Sequence, residues 1–160
     1  MSTGEAEQPR TGGVHERWIV FVSAHDRSGT LTALAETFSS RGVSFTSFTT
    51  LTVADGAGAM SIIFRASERL ARVLARTLER LAMTRTVSLH RASEPAVRAV
   101  AVVAVVAGAV GVGGSSVAVT RAGWADGGAV IVSGSLVDVE AALEPLPVGA
   151  VHAITVLPPA

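Results

Sequence analysis

The chain has 160 residues, a length that suits one domain or two very small ones. Hydrophobic side chains make up 49% and charged ones only 16%, too apolar a balance for a disordered chain. Thirteen basic residues, every one an arginine, offset 13 acids, so no basic surface is on offer to a nucleic acid, and the absence of cysteine removes disulfides, thiol nucleophiles and thiolate metal sites.

Residues 1–16 are polar with Gly and Pro, lack the apolar core of a signal peptide, and are expected to form a disordered leader. Residues 18–23 (WIVFVS) are apolar on both faces, as a central strand requires. A polar loop follows at residues 25–29. From Thr30 the period changes: Leu31, Leu34, Ala35 and Phe38 form one helical stripe, and Gly42 stands where a left-handed C-cap is wanted. Residues 44–53 predict a second strand, residues 55–58 (DGAG) a turn, and residues 60–65 a third strand with one more polar face. Ser67 predicts the N-cap of a second helix, with Leu70, Val73, Leu74, Leu78 and Leu81 inward and Arg69, Arg72, Arg76 and Arg80 on a solvated face. Residues 86–90 close the unit as a fourth strand, whose last residue, His90, is expected with Arg91 to face solvent. This βαββαβ order is the ferredoxin-like plan: helices cover one face of an antiparallel sheet and leave the other to find a cover.

Charge and pattern both change near Glu94-Pro95. Up to Arg98 there are 12 arginines against 9 acids; beyond it one arginine stands against 4. Superposing Ser135 on Ser67 brings Val130-Ile131-Val132 onto Ile62-Ile63-Phe64, and Ser135-Leu-Val-Asp138 resembles a capping box. Strands are expected at residues 97–106, 117–121 and 150–157. Only residues 107–116, mostly Gly and Ala, stand where a first helix belongs, so the second unit reads as a truncated copy that depends on the first unit, or on another chain, to complete its core. The uncharged stretch 99–119 is long enough to span a membrane but is built from Val and Ala and broken by Gly108, Gly111, Gly113 and Gly114, which fits a buried strand and a turn better. Trp124 is expected at a hairpin tip.

Few residues invite chemistry. His25, Asp26 and Ser28 are close in sequence, but a hydrolase triad needs convergence in space and a strained serine elbow, and GxSxG is absent. The four histidines are scattered without metal-ligand spacing, so no metal site and no cofactor is expected. The better reading of that loop is a carboxylate site: Ser28, Gly29 and Thr30 precede a helix whose first amides lack intrahelical acceptors. A free amino acid is the right sort of ligand, and Gly42, Val43, Ser44 and Phe45, entering the second strand, could add a wall and a hydroxyl.

The run VFVSAHDRSGTL over residues 20–31, followed by FSSRG over 38–42, resembles the ACT domain, a small ligand-binding regulatory module. FSSRGVSFTSFT over 38–49 and EPAVRAVAVV over 94–103 look more particularly like the small, regulatory subunit of acetolactate (acetohydroxyacid) synthase. The resemblance implies an α+β chain with a ferredoxin-like ACT domain at residues 17–93 and a second, truncated ferredoxin-like unit at 94–160. It implies a non-catalytic, cytoplasmic homodimer, paired through its ACT domains. Such a subunit binds a branched-chain amino acid such as valine and modulates a separate thiamine-diphosphate-dependent catalytic subunit in branched-chain amino acid biosynthesis. By position, Asp26, Arg27, Ser28, Gly29, Thr30 and Leu31 would form the loop and helix start, with Gly42, Val43, Ser44 and Phe45 completing the site and Ser44 and Phe45 coming from the neighbouring chain. Two positions depart from the family pattern: Ser44 stands for its usual asparagine and Ser28 for its usual proline. The alternative is a stand-alone amino-acid sensor or partner-binding scaffold with no synthase partner.

Overall fold

The computed structural model describes residues 15–104, 116–124, 127–147 and 149–159. The first sheet contains β1 (Glu16–His25), β2 (Phe45–Ala54), β3 (Ala57–Ala66) and β4 (Thr84–Arg91), with α1 (Thr30–Ser39) and α2 (Glu68–Glu79) between them. Its order is β2-β3-β1-β4, antiparallel throughout, so β1 is central as its two apolar faces require. The second sheet repeats the order as β6-β7-β5-β8, from β5 (Arg98–Ala104), β6 (Ala118–Trp124), β7 (Gly127–Ser135) and β8 (Val151–Leu157). Its helix among the described residues is α3 (Leu136–Leu143).

Strand alternation divides the first sheet cleanly. Trp18, Val20, Val22 and Ala24 of β1, with Met60, Ile62 and Phe64 of β3, pack under Leu34 and Phe38 of α1 and Ala71, Leu74 and Leu78 of α2. Leu31, expected in the α1 stripe, is instead 54% exposed; Thr30 and Thr37 take the inward positions, and Thr37 donates its hydroxyl to the Ala33 carbonyl. The reason is angular: the buried residues Thr30, Leu34, Thr37 and Phe38 fall at i, i+4, i+7 and i+8, so at the first turn the inward direction falls on residue 30 rather than on Leu31. β2 carries two register shifts, at Phe45/Ser47 and Thr50/Thr52, and the first lets the Phe45 and Phe48 rings meet despite their odd spacing. The β2–β3 turn is tighter than expected: Asp55 (φ +52°) and Gly56 (φ +69°) make a two-residue hairpin, and β3 starts at Ala57.

The other face of the first sheet is where the two units meet. Ile19 and Phe21, with the half-buried Leu51 and Ile63, share one buried cluster with Val97, Ala99, Ala101 and Val103 of the second unit, Val132 of β7, and Leu136 and Val139 of α3. Fully burying the Val, Leu, Ile and Phe side chains among these contributes roughly 1.5–3 kcal/mol apiece. The Ala92 amide donates to the Arg17 carbonyl, the Leu136 amide to the Val97 carbonyl, and Arg17 pairs with Glu140 of α3. The second unit thus draws on the first for its core. The absent helix inferred for residues 107–116 falls almost wholly outside the described residues, as does the leader up to residue 14; β1 takes up the chain at Glu16.

Both helices that follow the third strand of a unit begin alike. Ser67 Oγ accepts from the Leu70 amide and Ser135 Oγ from the Asp138 amide, so the superposition of the two serines holds in three dimensions. Within residues 99–119, β5 ends at Ala104 and β6 begins at Ala118, with 105–115 outside the described residues. Among the described residues no helix is long and apolar enough to cross a membrane. Trp124 is the last residue of β6, opposite Gly127. His90 and Arg91 depart from the expected solvated ending. The His90 ring lies 5.9 Å from that of Phe21, and its Nδ1 is 3.0 Å from Glu94. The Arg91 guanidinium lies over the Trp18 ring and bridges Glu16 and Glu68, because β4 runs beside β1 and long side chains there lie along the sheet edge.

Candidate functional site

A cleft of about 390 Å³ opens at the C-terminal end of β1, where the chain turns into α1. Its floor and one side are the loop and helix start that the sequence singles out: Asp26, Arg27, Ser28, Gly29, Thr30 and Leu31 all line it. The opposite side comes from the neighbouring strands, with Thr50 and Val53 of β2 and Met60 of β3. These three were not anticipated. Nothing local to residues 50–60 announces a site; they reach it through the β1–β3 and β2–β3 registers.

The loop is held from both sides. The His25 amide donates to the Met83 carbonyl at 2.8 Å, just before β4, and the Asp26 amide donates to the Gly56 carbonyl at 2.9 Å, in the β2–β3 hairpin. Thr30 Oγ1 donates to the His25 carbonyl at 2.9 Å, which fixes the first residue of α1 to the last of β1. Gly29 is the N-cap residue at φ +87°, a conformation L side chains rarely adopt, though a Cβ there would meet nothing within 4 Å. Glycine is required here for the backbone turn and not for space.

That turn leaves the start of α1 uncapped. No side chain bonds to it and its first turn carries no acid. The Thr30 amide reaches the Arg27 carbonyl and the Ala33 amide the Gly29 carbonyl, while those of Leu31 and Thr32 have no acceptor among the described residues. Two free amides at the positive end of a helix, beside an open cleft, suit a carboxylate. The cleft mouth is apolar: Leu31 is 54% and Val53 56% exposed. One zwitterion-sized ligand with an aliphatic side chain matches both features.

The second expected segment does not line this cleft within one chain. Gly42, Val43, Ser44 and Phe45 lie beyond the other end of α1, a ten-residue helix about 15 Å long. Gly42 does take the left-handed conformation (φ +65°), and the Val43 amide closes the helix on the Phe38 carbonyl. Val43 is buried, Ser44 exposed, and Phe45 38% exposed with its ring 6.0 Å from that of Phe38. Within one chain, then, these four residues do not join the cleft. The side chains of His25, Asp26 and Ser28 make no hydrogen bonds to one another, so no triad forms. Among the described residues no three His, Asp or Glu side chains cluster as metal ligands would.

Strand order, helix placement and the cleft at the first strand–helix turn together define an ACT-type α+β fold, built as two ferredoxin-like units in tandem. The acetolactate synthase small subunit from Thermotoga maritima has this fold over nearly its whole length: TM-score 0.61 at 17% identity, covering 89% of this chain and 93% of that one. The regulatory subunit of aspartate kinase from Thermus thermophilus, in its ligand-free form, superposes with a TM-score of 0.48 at 11% identity, covering 82% and 93%. No family model matches the chain, and no curated protein does.

Proposed function

We propose that this chain is a non-catalytic regulatory subunit that binds a small, aliphatic amino acid in the α1 cleft and modulates a separate catalytic chain of the acetolactate synthase type. The observation that carries the reading is the uncapped start of α1, with the Leu31 and Thr32 amides free, Gly29 at φ +87° and an apolar mouth at Leu31 and Val53. The tandem fold shared with the T. maritima small subunit over 93% of that chain supports the choice of partner. Residues 17–93 form the effector unit and residues 94–160 the second unit.

The subunit pairs with a second copy through its ACT units. β2 is an edge strand and Phe45 at its start is partly exposed, features that favour a second copy alongside. In that arrangement Ser44 and Phe45 of a second copy close the cleft that one copy leaves open. The ligand regulates only by binding two states of the complex with different affinity.

A thermal-shift screen of the full chain against the proteinogenic amino acids tests the reading. A ligand at about 100 times its dissociation constant stabilises the native state by roughly 2.7 kcal/mol, a readily visible shift. Selective response to valine, leucine or isoleucine, together with copurification of a thiamine-diphosphate-dependent chain, is the expected result. A selective response without such a chain leaves a stand-alone sensor. A flat panel removes the amino-acid reading.

A further inference from the structure

At the opposite end of β1 the structure forms a second cleft, of about 330 Å³, whose character is different. Arg17 of β1 and Arg65 of β3 are direct cross-strand partners. Side chains so paired leave the sheet on the same face about 4.5–5.5 Å apart at Cβ, and like charges there repel. Arg17 is relieved by Glu140 of α3. Arg65 is exposed and makes no ion pair among the described residues. Arg91 stands on a third side of the cleft, occupied by Glu16 and Glu68. Glu140 is thus engaged by Arg17, Glu16 and Glu68 by Arg91, and Glu94 by His90, while Arg65 has no ion-pair partner among the described residues.

We propose that this cleft is a ligand site for the phosphate group of a small molecule, held by Arg65 and Arg17. Guanidinium groups present planar forks of donors that match oxyanions, and a phosphate takes such donors from more than one direction, as two side chains from different strands supply them. Ser93 lines the cleft and adds a hydroxyl. The volume exceeds that of one phosphate, and Val137 of α3, 47% exposed, offers an apolar surface to the remainder of a phosphorylated molecule. The site is distinct from the amino-acid cleft, since the ten residues of β1 from Glu16 to His25 separate the two by about 30 Å. Because Arg17 also holds Glu140, occupancy is felt where the two units join.

The test uses the full chain in calorimetric and thermal-shift titrations with inorganic phosphate and with glycerol 3-phosphate, at constant ionic strength set by sodium chloride. The wild type is compared with Arg65→Gln and with Arg69→Gln, an exposed arginine of α2 outside the cleft. The expected result is a saturable response that weakens at least about tenfold in Arg65→Gln, the loss of a charge-assisted hydrogen bond, and is unchanged in Arg69→Gln. Tighter binding of glycerol 3-phosphate than of phosphate identifies a phosphorylated metabolite as the source, and equal binding the free ion. No saturable response in the wild type, or an equal response in Arg65→Gln, overturns the proposal. Neither result bears on the amino-acid screen, which reads the other cleft.

Discussion

Replacing Gly29 by aspartate separates ligand binding from folding. The native φ of +87° costs an L residue about 1–2 kcal/mol, and aspartate is among the residues that tolerate it best. No steric term is added, because nothing lies within 4 Å of the new Cβ. Against the strain, a carboxylate at the uncapped start of α1 recovers about 0.3–1 kcal/mol from the helix dipole. The net cost to the fold is between about zero and about 1.7 kcal/mol, a shift of at most several degrees in Tm for a chain of this size. The same carboxylate lies against the free Leu31 and Thr32 amides and repels a ligand carboxylate. Losing one charge-assisted bond of about 1.5–3 kcal/mol weakens binding roughly tenfold or more. The assay is the valine, leucine and isoleucine thermal shift on wild type, Gly29→Asp and Gly29→Ala. Alanine meets comparable strain without the charge and keeps the response. A folded Gly29→Asp chain with an undiminished ligand response would falsify the site.

Three further outcomes follow from the packing and the charges. Leu136→Ala, at a fully buried position in the cluster joining the units, is expected to cost about 2–5 kcal/mol and to lower a single cooperative transition; calorimetry resolving two independent transitions, with the first unit unaffected, would contradict the shared core. Ser135→Ala removes the cap of α3 and is expected to cost about 1 kcal/mol by denaturant unfolding, with Ser67→Ala similar; no loss at either position would mean that the hydroxyl contacts are not sustained in solution. Glu94 is held below its ordinary pKa of 4.5, first by the Arg91 amide, which donates to it at 2.9 Å, and then by the His90 side chain. Its stabilisation is fully present above pH 4.5 and is lost as pH falls through the depressed folded-state value. Glu94→Gln should therefore flatten the acid limb of the Tm–pH curve, and an unchanged limb would place the acid sensitivity elsewhere.

Much of this protein is written locally. The two apolar faces of β1, the Asp55-Gly56 turn, the serine caps at 67 and 135 and the left-handed Gly42 each depend on a few neighbouring residues, and those relations survive folding because they are local. The half of the cleft made by Asp26 to Leu31 is legible for the same reason: a single loop and the helix it starts carry it. Thr50, Val53 and Met60 are not legible, because the registers of β2 and β3, including two shifts in β2, decide which of their residues arrive beside that loop. Gly42 to Phe45 show the converse, a segment close in the chain that α1 carries to its far end.

From sequence alone came the element order, the strand that would be central, the inner duplication and the loop that lines one side of the α1 cleft. The tertiary structure decided what covers the second face of the first sheet, how Arg91 and His90 are engaged, and which charges are left over at Arg17 and Arg65. Periodicity marks a side chain as facing inward or outward relative to its own element. Burial and pairing depend on what a distant part of the chain brings to that face, and Ile19 and Phe21 find their partners more than 70 residues away, at Val97 and beyond.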